Sequence, residues 1–110
     1  MSDRAKLADL QKVARLMLDL RLLALDQAAK ARQASLDHLD ELNRPQPAAD
    51  PNPIVAGEVA VRYQHWADQR RASLNLDLAR QTAEWQEARQ AASLALGRDA
   101  VIARLRERLK

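Results

Sequence analysis

All four prolines of this 110-residue chain, Pro45, Pro47, Pro51 and Pro53, fall within nine residues, with Gly57 close behind. Apart from Gly97, the rest of the chain lacks both helix breakers. Proline removes an amide donor and its ring clashes with the preceding turn, so the cluster interrupts any helix that reaches it. The chain therefore reads as helix, stiff loop, helix, over about 3–43, 44–52 and 53–109. Ser2 or Asp3 can cap the first helix. Asn52 followed by Pro53 makes an N-cap and first-turn pair for the second, although Gly57 would allow a start nearer Glu58.

Composition points the same way. The chain holds 22 Ala and 18 Leu but only three aromatics and no Phe, so a core must be thin and built from Leu and Ala. β-branched residues are few, which disfavours a sheet. The expected fold is all-α, a single domain of two long helices forming an antiparallel coiled-coil hairpin with a proline-rich loop. With no Cys, disulfides and thiolate chemistry are excluded. The longest stretch without charge, 90–97, is far below the roughly 18 residues of a membrane span. Charge interrupts the first residues every few positions, so a secretory leader is not expected. A net charge of +3 does not mark a nucleic-acid binder, because acids punctuate every basic stretch.

Apolar periodicity suggests how the helices pair. One stripe runs through Leu10, Val13, Met17, Leu20, Ala24, Ala28, Ala31, Ser35, Leu39 and Leu42; a second runs through Val59, Tyr63, Trp66, Arg70, Leu74, Leu78, Gln81, Trp85, Ala88 and Ala92. Spacings of three and four are those of a coiled-coil seam. Folding back tightly at the prolines pairs residues whose numbers sum to about 98, so that Leu39 meets Val59, Ala24 meets Leu74 and Leu10 meets Ala88. On the outer surface Asp26–Lys30, Asp40–Arg44 and Glu58–Arg62 stand at i,i+4, and Asp9–Lys12, Asp68–Arg71 and Asp77–Arg80 at i,i+3. Each pair is worth only a few tenths of a kcal/mol.

Three features exceed what such a hairpin needs. Segment 16–25 is apolar nearly all round, which would leave Leu18, Leu22 and Leu25 as an association surface. In the expected register, 96–110 projects past the first helix by about 20 Å. That end carries Arg98, Arg104 and Arg108 beside Val101, Ile102, Leu105 and Leu109, an amphipathic pattern suited to docking, with Gly97 as a joint. Near the loop, Val59, Tyr63, Trp66 and Arg70 follow one another at four, three and four, a candidate contact at the tip.

No catalytic set emerges. His38 and His65 lie on different helices without metal-ligand spacing, and there is no phosphate-cradling glycine loop or activated nucleophile. The expectation is a protein that is not an enzyme, with no metal and no cofactor.

Trp85, Ala91-Ala92, Leu96-Gly97-Arg98-Asp99 and Leu105 with Arg108-Leu109, set on an Ala/Leu/Arg-rich hairpin, resemble the FliJ/YscO family of type III export proteins. These look like the central stalk of rotary ATPases. The resemblance implies a cytoplasmic, non-catalytic stalk or escort protein of a flagellar or related export apparatus. Its paired helix ends would enter a hexameric export ATPase, and its tip residues Val59, Tyr63, Trp66 and Arg70 would face the export gate. Export chaperones are a further class of partner; nucleic acid and membrane insertion are not implied. The alternative is a self-associating scaffold in which two hairpins form a homodimeric four-helix bundle around 16–25.

Overall fold

The computed structural model describes residues 2–47 and 50–110. Two antiparallel helices make the hairpin: α1, Asp3–Asn43, and α2, Pro53–Arg108. At the start of α1, Ser2 Oγ accepts a hydrogen bond from the Ala5 amide at 3.2 Å. At the start of α2, Asn52 Oδ1 accepts from the Ile54 and Val55 amides at 2.9 and 3.4 Å, and Asp50 Oδ1 accepts from the Asn52 amide at 2.8 Å. These side chains satisfy amides that have no partner inside the helix. Pro53 occupies a first-turn position where its missing N–H costs nothing. Helix α2 runs unbroken through Gly57 and Gly97, and open space surrounds the position a Cβ would take at each. Gly97 is thus an interior helical residue and not a joint.

The chain divides into two compact units, Ala31–Thr82 and Met1–Lys30 with Ala83–Lys110. In the first, Leu42, Ala67 and Leu74 form the buried core, with Leu39 and Tyr63 packed against it. The end of α1 has no basic residue in its last turn. Arg71 of α2 supplies that charge across the seam. Its guanidinium donates to the Leu42 carbonyl at 3.2 Å and to Asn43 Oδ1 at 3.1 Å, while pairing with Asp68 at 2.8 Å. A cation at a helix C-terminus meets both the orphan carbonyls and the dipole.

Two polar layers lie deeper in this unit. Arg32 Nε donates to Thr82 Oγ1 at 3.1 Å, and the buried Ser35 Oγ donates to Gln81 Oε1 at 2.6 Å. Polar pairs at seam positions fix register at some cost in stability. Q81L alone is expected to lower Tm, because the Ser35 hydroxyl loses its acceptor at about 1 kcal/mol. Replacing Ser35 and Gln81 together with Leu should instead raise Tm by roughly 5 °C, since two apolar groups substitute for a desolvated polar pair. Thermal melts of the two variants check the reversal of sign.

In the second unit the ends of the helices lie side by side. Arg4 Nε donates to the Leu109 carbonyl at 2.6 Å, Arg106 donates to the buried Gln11, and Arg15 pairs with Asp99 at 3.6 Å. The last contact is too long for a hydrogen bond and leaves the buried Asp99 Oδ1 without one. Ala92 and Ala95 are buried in the seam.

The register differs from the expected one in both units. Arg32 with Thr82, Asn43 with Arg71, and Arg15 with Asp99 are pairs whose numbers sum to 114, not 98. The expectation assumed a tight fold-back at the prolines. Instead, α1 ends level with Arg71, about 27 Å along α2 from Pro53. Gln46, Pro47 and Asp50 accordingly line a cleft of about 330 Å³ with Ala56, Val59 and Tyr63 on the first turns of α2. The residues 96–110 are therefore not an overhang: they pair with the first turns of α1.

Candidate protein-binding surfaces

The tip residues belong to the unit Ala31–Thr82. Tyr63 and Trp66 sit one turn apart with ring centroids 5.7 Å apart and planes tilted by 44°. Tyr63 is half-buried against the Leu42–Ala67–Leu74 core, whereas Trp66 remains 53% exposed. Both rings line a cleft of about 350 Å³ with His38, Glu41 and Arg70. Val59 is exposed and lines the neighbouring cleft beneath the proline segment, which it shares with Tyr63. The four residues thus form one aromatic and basic surface, with Tyr63 as the link between two clefts. Aromatic rings beside a guanidinium are what protein interfaces use as anchors.

The C-terminal residues belong to the unit that contains both chain ends. Arg98, Val101, Arg104, Leu105, Arg108 and Leu109 are exposed, and Ile102 is half-buried in the seam. The seam itself passes through Asp99, Ile102 and Arg106, leaving Val101 and Leu105 on an outer flank. Among the charges, Arg106 is engaged with Gln11, while Lys110 pairs with Glu107 at 2.8 Å. The hydrogen bond and charge of Lys110 hold the Glu107 carboxyl below its ordinary pKa. Likewise, the hydrogen bond and charge of Asp26 raise the Lys30 ammonium.

The leucine-rich segment divides differently from the expectation. Leu18 and Leu25 are half-buried on the seam side, and only Leu22 of the three is exposed. They are packing residues because the α1 seam follows a strict heptad through Gln11, Ala14, Leu18, Leu25, Ala28, Arg32, Ser35, Leu39 and Leu42. The residues assigned to the seam in the first half of α1 face outward instead. Leu10, Val13, Met17 and Leu20 are all exposed, Leu20 at 64%. Polar residues at Gln11 and Arg32, and the exposed Arg21 at the heptad position between Leu18 and Leu25, disguised the true stripe; its heptad spacing was the available signal.

Among the described residues no group of three or more His, Cys, Asp or Glu could hold a metal ion. Among them, too, no helix is long and apolar enough to cross a membrane. Set against protein-family models, curated proteins and solved structures, the chain matches none.

Proposed function

We propose that this chain is a cytoplasmic, non-catalytic coiled-coil stalk or escort protein of a flagellar or related type III export apparatus. The observation that carries the reading is the paired end. The first turns of α1 and the last turns of α2 lie together through Arg4–Leu109 and Gln11–Arg106. Arg98, Arg104 and Arg108 stand exposed there beside Val101 and Leu105. A double-helical end with a basic and apolar surface is the part that the resemblance to FliJ/YscO proteins would insert into a hexameric export ATPase. The loss of the overhang changes how such docking would work: the ATPase would meet a paired end and not a lone helix. The surface of Val59, Tyr63, Trp66 and Arg70 is left for the export gate or an export chaperone.

The test is stimulation of the cognate export ATPase by the purified chain. R104E/R108E should leave helicity unchanged, since the structure assigns neither residue a seam contact. It should cut apparent affinity about tenfold at low salt and less at high salt, because exposed charges are screened. A wild-type chain that neither binds nor stimulates the ATPase would refute the reading.

A further inference from the structure

We infer that the outer flank of the unit containing both chain ends is a self-association face, and that its occupant is a second copy of this chain. The inference stands without the export reading: Val101 and Leu105 can pack on a second copy or meet an ATPase, but not both at once. On α1, Leu10, Val13, Met17 and Leu20 form a second heptad stripe, set beside the one that packs on α2, and all four are exposed. On α2, Leu94, Val101 and Leu105 are exposed in turn, Leu94 at 63%. The two sets meet. Leu10, Val13 and Met17 share with Leu94 and Val101 a groove of about 620 Å³ whose walls are almost entirely apolar. A helix carrying two apolar stripes is built to touch two neighbours, and within the chain it has only one.

Two observations favour a second copy as the occupant. The first is area. Seven half-exposed large side chains, at on the order of 100 Å² each, approach the roughly 800 Å² per partner that a specific interface buries. A single surface of that size and apolarity is more than a soluble monomer ordinarily leaves wet. The second is symmetry. The stripe Leu10, Val13, Met17, Leu20 steps by three, four and three, the same from either end. Laid antiparallel on its own copy, Leu10 meets Leu20 and Val13 meets Met17, the self-complementary contact that a two-fold dimer requires. Gly97 and Ala14 in the groove floor are small enough to admit the neighbour's side chains. The face differs from the Leu18, Leu22 and Leu25 surface expected from sequence, because Leu18 and Leu25 are spent on the intrachain seam.

Sedimentation equilibrium of the full chain tests this directly. The mass should rise from 12.4 kDa toward twice that value, with a Kd in the range of about 1–10 μM for an interface of this area. L10E/L94E, at positions outside the seam, should keep its helicity and stay monomeric throughout. Because the chain has no Cys, V13C gives a second readout. Its labelling by a maleimide should slow about tenfold on passing from well below to well above the dimer Kd, while D37C in the other unit labels at one rate. A wild-type chain that is monomeric at about 100 μM, an L10E/L94E variant that still dimerises, or a V13C rate independent of concentration would each overturn the assignment.

Discussion

L74D is expected to abolish the cooperative thermal transition of the Ala31–Thr82 unit. Leu74 is 3% exposed and joins Leu42 and Ala67 in the only hydrophobic cluster that unit has among the described residues. Removing a buried leucine costs about 2–5 kcal/mol, and burying an unpaired carboxylate adds several more. A whole domain is commonly stable by only about 5–15 kcal/mol. Tm measured by circular dichroism should therefore fall by more than about 20 °C, with loss of helical signal at room temperature. L20D is the control, measured well below the dimer Kd. Leu20 is 64% exposed, so a charge there stays in water and should move stability by no more than about 0.5 kcal/mol. Equal loss in both variants would contradict the observed seam.

That contrast marks what was legible in the sequence. The break between two long helices followed from the proline cluster, because proline acts through local sterics, and the thin Leu/Ala core that the composition allows favoured folding them back as a hairpin. The α2 stripe from Leu74 to Ala92 was also readable, since Trp85 and the small residues Ala88 and Ala92 stand at unbroken heptad spacing. The pairing of Asp26 with Lys30 and of Asp68 with Arg71 was equally local. Register was not local. It depends on how far along α2 the end of α1 falls, and composition does not set that distance.

The choice of stripe on α1 failed for a related reason. Apolarity pointed to Leu10, Val13, Met17 and Leu20, while the intrachain seam there uses Gln11 and, further on, Arg32; the expected members Ala28, Ser35, Leu39 and Leu42 do lie on it. A helix with two competing stripes cannot be oriented from its own sequence. The partner decides, and here the partner contributes Thr82, Gln81 and Arg106 as hydrogen-bonding groups. Those polar layers make the purely apolar stripe the wrong seam and release it for another surface. At the tip, Tyr63, Trp66 and Arg70 line one cleft, because their three-four spacing within a single helix fixes their common side.

The second large effect concerns the chain end. Deleting residues 98–110 from a projecting, unpartnered helix would leave the remainder untouched. In the observed register the same deletion removes Asp99 from Arg15, Arg106 from Gln11 and the Leu109 carbonyl from Arg4. It also strips Ile102 from the seam. The first three to four turns of α1 would then lack a partner, and a helical end without tertiary packing is marginal in water. Ellipticity at 222 nm should therefore fall by about a quarter, roughly double the share of the thirteen residues removed. Hydrogen exchange locates the loss: amides over 4–15 should lose nearly all protection, while those around Leu42 and Leu74 keep theirs. R104E/R108E should show neither change, which separates loss of charge from loss of packing. If amides 4–15 keep full protection after the deletion, the end of α2 does not hold α1, and the paired end loses its standing as a structural unit.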